Sequence, residues 1–444
     1  MIAWVGISMA GRDGQRPHLV ADHGTTERLS AGPDPGVPAG GYAIASSTGV
    51  VRAINARAIY EMVRDLGEAS AAQIGDRSGL SRPTVALALS NLEASGLLRQ
   101  NGRRTGGVGR APRVFEPNPA AGHVLVADVG RSWLRLAVAN VAGDILLRRD
   151  VRSRVHSAGG LVEQIATAAR AVTADAGLDW DDLTHKVVGA PGVFDPAAGT
   201  FHLVPNLPGW QRRGVGHLLT ERLGGDVTIH NDVNLAAVGE RAYGAGRDAR
   251  DFVYLSLGTG VGMALVLGGQ LRNGAHGAAG EVGFLPIFPG DAPSTAPASA
   301  AARRRRGELE NLIGASALIG LAHRRGLHLS AVSEVFGAAR AGDPVALDVV
   351  EEAAAQLARA VGAVISIVDP GLVVLGGGIG QNGDLLIPRI QQRLAALVPL
   401  AVPGIVPSAL GADAPILGGL TTALDTARRV LVERAGLAGR AAPA

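Results

Sequence analysis

The run Leu257-Gly258-Thr259-Gly260-Val261-Gly262 lies inside an apolar strand pattern extending from Phe252 to Leu267, and a related arrangement occurs earlier in the chain. His123 to Val129 reads as a strand ending in Asp128-Val129-Gly130-Arg131-Ser132, after which Trp133 to Ala139 and Ile145 to Val151 alternate as two more strands. A long helix follows over Gly160 to Ala176. A sheet motif used twice in this way implies an α/β chain of two similar halves facing each other across a cleft. Glycine at such turns lets backbone N–H groups approach an anion closely, which is how phosphate tails are cradled. A plain tight turn uses glycine for the same steric reason. A third run, Leu375-Gly376-Gly377-Gly378-Ile379-Gly380, closes a strand over Gly371 to Leu375 and opens a helix. Three such loops point to a nucleotide cleft, with tight turns alone as the other reading.

The 444 residues exceed one compact core, so two or three domains are expected. With 47% hydrophobic and 18% charged residues, wholesale disorder is excluded. There is no cysteine, which rules out disulfide scaffolds, thiol nucleophiles and thiolate zinc sites, and a cytoplasmic address fits best. Two uncharged stretches resemble membrane spans only in length. Phe252 to Leu271 holds five glycines, and Leu394 to Ala412 holds Pro399, Pro403 and Pro407, which would break a helix. The apolar N-terminus MIAWVGISMA has no preceding basic residues, so no secretory signal is expected.

Residues 1 to 50 are rich in Gly, Pro, Ser and Asp without periodicity and read as a disordered leader. Val51 to Pro117 has a helical, short-looped texture, and from Asn118 to the C-terminus strands alternate with alanine-rich helices. Pro289 to Arg306, PGDAPSTAPASAAARRRR, reads as a mobile insertion in the larger domain.

In the 51–117 segment Ile54, Ala58, Met62 and Leu66 recur every fourth position, with Ile59 and Val63 beside them, predicting one buried helical stripe. Ser70 and Gln73 have capping-box spacing, Gly79 supplies a tight turn, and Ser81 caps a third helix that tolerates Pro83 in its first turn. Val85, Leu89 and Leu92 point to a core, leaving Arg82, Thr84, Ala86, Leu87 and Ser90 on or near the face that would meet base edges and phosphates. Leu97 to Phe115 reads as two short strands around a glycine-rich tip, with Arg99, Arg103, Arg104, Arg110 and Arg113 and no acid. Val51 to Pro117 carries ten arginines against six acids, a net of +4, while the whole chain is only +3. Double-stranded DNA is the partner such a head would take; a protein-docking module with solvated arginines is the bland alternative.

In the larger domain, His230-Asn231-Asp232-Val233-Asn234 ends a strand and begins a helix, which places Asp232 at a helix N-terminus. A carboxylate there can take a proton from a hydroxyl, as phosphoryl transfer to a sugar requires, or serve only as a cap. Pro205-Asn206-Leu207-Pro208-Gly209-Trp210 is a rigid loop offering one amide and one aromatic ring, and Glu281, Glu308 and Glu310 add carboxylates.

In these motifs and their order the chain resembles the ROK family (repressor, open reading frame, kinase), and in particular its winged-helix transcriptional members, over about Val51 to Val430. The resemblance implies an actin/hexokinase-like ATPase fold in two lobes, α/β in class, preceded by a winged helix-turn-helix domain. It matches Asp128, Gly130 and Ser132 to one phosphate loop, Gly258, Thr259, Gly260 and Gly262 to a second, and Gly376, Gly377 and Gly378 to an adenosine loop. Asn206, Asn231, Asp232, Glu281 and Glu310 match sugar-contacting positions, with Asp232 at the place of the kinase general base.

The departures bear on function. Family kinases carry a zinc-binding histidine where Phe284 stands, and the zinc cysteines are replaced by the Pro/Ala/Arg insertion and Glu308, so no zinc is expected. The first phosphate loop reads Gly130-Arg131-Ser132-Trp133 where family kinases have a glycine-glycine-threonine pattern, so the bulky cation Arg131 stands where backbone should hug a phosphate, which opposes efficient ATP turnover. The resemblance therefore implies a repressor, acting as a homodimer or dimer of dimers on operator DNA and responding to a sugar or sugar phosphate. No cofactor is required in that reading. The alternative is a sugar kinase using ATP and magnesium, and a third is a regulator that docks a protein and senses no sugar.

Overall fold

The computed structural model describes residues 47–101, 113–153, 157–204, 207, 209–286 and 307–438. The leader up to residue 46, the wing tip with Arg103, Arg104 and Arg110, Asn206, and the 289–306 insertion lie outside the described residues. The chain divides into two compact units, one of residues 1–121, 141–144 and 428–444, the other of 122–140 and 145–427.

In the first unit, α1 (Ser47–Leu66) is followed by β1 (Ala69–Ser70), α2 (Ala71–Ser78), α3 (Arg82–Ala94), β2 (Leu98–Asn101) and β3 (Val114–Pro117). The local chemistry sets these boundaries. The Ser70 hydroxyl accepts from the Gln73 N–H while the Gln73 side chain accepts from the Ser70 N–H at 2.9 Å, a complete capping box. Gly79 closes α2 in the left-handed region at φ 66°, and the Ser81 hydroxyl accepts from Thr84 N–H to start α3. The three short strands form one antiparallel sheet in the order β1-β3-β2.

Of the stripe predicted for α1, Ile59 and Val63 are buried and Met62 and Leu66 pack against the same core, but Ile54, 61% exposed, and Ala58 are corrected: Ala56 and Tyr60 are buried in their place. A helix turns every 3.6 residues, so a row stepping by four drifts around the cylinder, while the 56, 59, 60, 63 row stays on one face. That face packs on Ile74, Val85, Leu89, Leu92, Leu97 and Phe115, and on Val432 and Ala435 from the last helix of the chain. Arg428 of that helix donates from Nε to the Val141 carbonyl at 2.9 Å. Helix α1 begins at Ser47, a few residues inside the expected leader.

The second unit holds the predicted repeat. The strands are β4 (His123–Val129), β5 (Trp133–Asn140), β6 (Ile145–Arg152), β7 (Leu183–Ala190), a hairpin of β8 (Val193–Asp195) and β9 (Thr200–His202), then β10 (Val227–Asn231), β11 (Phe252–Leu257), β12 (Val261–Leu267), β13 (Gln270–Arg272), β14 (Leu372–Gly376) and β15 (Gly404–Pro407). One five-stranded sheet runs β10-β7-β4-β5-β6 and the other β13-β12-β11-β14-β15. In both, three consecutive strands pair antiparallel, and two later strands add in parallel beside the first of them. The parallel additions need crossovers, supplied in part by α4 (Ala158–Asp175), α5 (Val215–Leu223) and the long helix Pro344–Val368. Central strands such as β4 are buried on both faces, which is why they read as continuous apolar runs.

Helix α6 (Asp232–Tyr243) starts directly from β10 and crosses the last helix, Ala414–Ala438, at Gly239 and Gly418. A Cβ on Gly418 would lie 1.7 Å from the Leu235 carbonyl oxygen, so the two helices touch backbone to backbone. The fully buried Glu240 accepts from the Ser408 hydroxyl at 2.5 Å, from Leu410 N–H at 3.0 Å and from Ala245 N–H at 2.7 Å, tying the loop after β15 to the end of α6.

Candidate functional site

Within the second unit a cleft of about 230 Å³ is lined by residues from both sheets. It gathers Gly130, Asn231, Asp232, Gly258, Thr259, Gly260, Gly262, Glu281 and Glu310, all singled out in the sequence. Each is placed by a local device. Asn231 is the N-cap of α6: its Oδ1 accepts from Asn234 N–H at 3.0 Å and its Nδ2 donates to the Gly192 carbonyl at 3.1 Å. The amide thus ties the start of α6 to the chain just after β7, the strand that pairs with β10. Asp232, the next residue, is the first of the helix, with Oδ1 accepting from Val233 N–H at 3.0 Å. Glu310 accepts from Val261 N–H at 3.2 Å, holding the start of β12.

The electrostatics follow from burial. Burial pushes the Asp232 carboxyl up to about 6 against the lowering pull of backbone N–H groups, with Glu281 adding to the rise. Glu281 is pushed up to about 7 by burial and by the neighbouring Glu310. These groups sit near neutrality, where a carboxyl can both accept and give a proton to a hydroxyl. Asp128 also rises to about 7, through burial and then the charge of Asp232, with Arg135 pulling the other way.

Several predicted residues stand elsewhere. Asp128 is buried behind the cleft and bonded by Arg135 Nη1 at 3.2 Å. Ser132 is exposed, its carbonyl accepting from Ser153 N–H at 3.0 Å. Gly376, Gly377 and Gly378 do not line the cleft. At two of them glycine answers to the protein's own packing: a Cβ on Gly376 would meet the Tyr254 hydroxyl at 1.9 Å, and one on Gly377, at φ 73°, the Leu257 carbonyl oxygen at 2.3 Å. Gly258 is the opposite case, since a Cβ there meets nothing within 4 Å and its φ is ordinary, so no packing demand explains it.

The sequence reading passed over part of the wall: Pro191, Leu203, Val204, Leu207, Val233 and Ser256 also line the cleft, with Arg131 and Phe284. Leu203 has φ 57°, a left-handed conformation costing a non-glycine residue about 1–3 kcal/mol, and is 38% exposed beside the cleft. Nothing in a run of letters marks a leucine for that conformation. Trp210, by contrast, is fully buried against Phe201 with ring centroids 5.0 Å apart, so the ring offered by its loop belongs to the core.

Cysteine-based zinc has no donors in this chain, and Phe284 brings a donor-free ring to the cleft. For a triphosphate the two turns differ in fit. A Cβ at Gly258 would meet nothing within 4 Å, while the first turn carries exposed Arg131, and Arg152 stacks 4.7 Å from the Trp133 ring centroid.

Two repeated sheets of this order with a cleft between them define the actin/hexokinase-like ATPase fold. The chain belongs to the ROK family, whose model matches residues 124–426. A glucokinase from Halalkalibacterium halodurans is 30% identical over 66% of this chain and 92% of its own. A xylose repressor from Caldicellulosiruptor bescii is 23% identical over 77% of this chain and 88% of its own. Among solved structures, a ROK family transcriptional regulator homologous to the E. coli MLC protein matches 86% of this chain and 99% of its own, with TM-score 0.71 and 22% identity. A Streptomyces griseus ROK glucokinase in complex with glucose and AMPPNP matches 68% and 99%, with TM-score 0.56 and 26% identity. Among the described residues no helix is long and apolar enough to cross a membrane.

Proposed function

We propose that this chain is a sugar-responsive transcriptional regulator: a cytoplasmic repressor whose head binds operator DNA and whose cleft takes a sugar or sugar derivative that releases it. The observation that carries the reading is the union of two features in one chain. One is a capped helix, a left-handed glycine turn and a third helix with Arg82, Ala86, Leu87 and Ser90 facing outward. The other is a cleft lined by Asn231, Asp232, Glu281 and Glu310, a set suited to hydrogen-bonding vicinal hydroxyls. Repressors and sugar kinases among the relatives support it from both sides.

In this reading Arg82, Thr84 and Ser90 contact bases and phosphates, with the wing arginines Arg103, Arg104 and Arg110 adding phosphate contacts. The protein acts as a homodimer, or a dimer of such dimers, on a two-fold operator with half-sites about one helical turn apart or a multiple of it. The sugar must bind the released state more tightly than the DNA-bound state, since equal affinity shifts nothing. A gel shift with DNA upstream of neighbouring genes, repeated with single sugars and sugar phosphates, tests it. Release by one compound supports the reading, and retention with every compound that binds the cleft overturns it.

A second reading, an ATP-dependent sugar kinase with an appended head, draws on Asp232 at a helix start beside an open glycine turn. Arg131 opposes it. ATP-dependent phosphorylation across a monosaccharide panel separates the two.

A further inference from the structure

The outward face of α3 is poor in long polar side chains. Of its exposed residues Arg82, Pro83, Ala86, Leu87, Ser90 and Ala94, only Arg82 can reach out with a fork of donors, and it stands at the helix start. Leu87 is 51% exposed while Val85, Leu89 and Leu92 on the other side are almost fully buried. It therefore fills no core, and its methyl groups stand in water next to Ser90, one turn on. It also forms the rim of a groove lined by Arg52, Asn55, Thr84 and Asn91.

We propose that Leu87 is a specificity-determining residue that packs against the C5-methyl group of thymine in the major groove, so that each half-site is read partly by apolar contact. The inference rests on the head being a DNA-binding unit. Thymine's methyl is the apolar feature that the major-groove edges of base pairs present, and a leucine at the centre of a recognition helix has no other base contact to make. Charge argues for duplex DNA as the occupant. Val51 to Pro117 is net +4, and among the described residues neither Arg52 nor Arg82 has a carboxylate within ion-pair distance, whereas Arg57, Arg64 and Arg99 are paired. Arg77 and Arg113 likewise have no carboxylate within ion-pair distance among the described residues; Arg52 lines the groove with Leu87 and Arg82 begins its helix, so cations stand on both elements beside the exposed apolar side chain, as phosphates flank a base edge.

The test uses the full chain and a duplex selected from a random pool, with binding confirmed by gel shift. Each thymine is then replaced singly by deoxyuridine, which removes one methyl group and leaves the hydrogen-bonding edges unchanged. At the contacted positions the wild-type protein should lose about fourfold in affinity per methyl, the equivalent of about 0.8 kcal/mol. Leu87→Ala should bind the parent duplex several-fold more weakly and be indifferent to uracil at those positions, and Leu87→Met should keep most of the sensitivity. Because Leu87 is half exposed, both variants should melt within a degree or two of wild type. The inference is overturned if no thymine position responds, or if Leu87→Ala responds as the wild type does, the result expected if this face docks a protein. Failure to select any duplex would instead overturn the DNA-binding reading beneath it.

Discussion

In the first sheet the turn between β4 and β5 is Gly130-Arg131-Ser132; in the second, the turn between β11 and β12 is Gly258-Thr259-Gly260. The strands around them follow one plan, with the same order and the same mixture of antiparallel and parallel pairs. The turns do not. Each turn is closed by its own backbone bond, Gly130 N–H to the Trp133 carbonyl at 2.9 Å and Gly258 N–H to the Gly260 carbonyl at 3.0 Å, but a Cβ on Gly130 would sit 3.0 Å from the Trp133 oxygen and the first turn is topped by an arginine. The second turn leaves space around Gly258 and is anchored from behind, its Gly258 carbonyl accepting from Ala315 N–H at 2.9 Å. Buried strands tolerate little change because every side chain is packed, whereas a turn facing a cleft can change its chemistry without disturbing the sheet. The sheet order is thus common to both halves, while the turns differ at residues that line the cleft.

The largest effect expected from this contrast is at Gly377. Gly377→Ala forces a Cβ into the Leu257 carbonyl at positive φ and should lower stability by at least about 3 kcal/mol in urea unfolding. Gly258→Ala should change stability by less than about 1 kcal/mol, yet weaken whatever approaches that turn. Equal losses in the two variants would break the distinction between a glycine kept for packing and one kept for a ligand.

Next in size is Asp232→Asn. It should cut sugar affinity by about tenfold or more, as expected for losing a charged hydrogen-bond acceptor, with DNA binding intact; calorimetry and gel shift read the two separately. The third expectation concerns pH. Asp128 and Glu281 titrate near 7 and Asp232 near 6 in the folded protein, above their ordinary values. Between about pH 4 and 7 the folded state thus binds more protons than the unfolded chain, and these groups make stability fall as pH rises, then level off. Sugar binding through ionised carboxylates should rise over the same window. Thermal melts and calorimetry at pH 5 and pH 8 check both signs, and parallel trends would contradict the assignment of Asp232 and Glu281 to the ligand. The smallest effect is Arg131→Gly: stability within about 0.5 kcal/mol, because the side chain is exposed, and a measurable gain in affinity for a non-hydrolysable ATP analogue. No gain would mean that the limited space at Gly130, rather than the arginine, limits phosphate approach.

The parts legible in sequence were those with local causes. Ser70, Gln73, Gly79 and Ser81 announce their caps because capping is decided within four residues, and Asp232, Glu281 and Glu310 stand out because they sit in short motifs, which the fold brings to one cleft. In α1 the burial of Ile59 and Val63 was legible, but that of Ala56 and Tyr60 in place of Ile54 and Ala58 was not, because an alanine-rich helix offers two apolar rows and distant partners, including Val432 and Ala435, choose between them. At Gly376 and Gly377 packing against Tyr254 and Leu257 already requires glycine, and a glycine that avoids them is spelled like one that admits a phosphate, so the letters alone do not separate the two roles. Leu203 gave no signal, since backbone sign is invisible in side-chain identity.

The central claim is that a ligand bound around Asp232 controls the hold of the head on DNA. Fluorescence anisotropy of a selected operator duplex, titrated with wild type and Asp232→Ala in the presence of single sugars and sugar phosphates, tests it directly. The account predicts equal operator affinity for the two proteins without ligand, release of the wild type by one compound, and no release of Asp232→Ala by that compound. Equal release of both would contradict it.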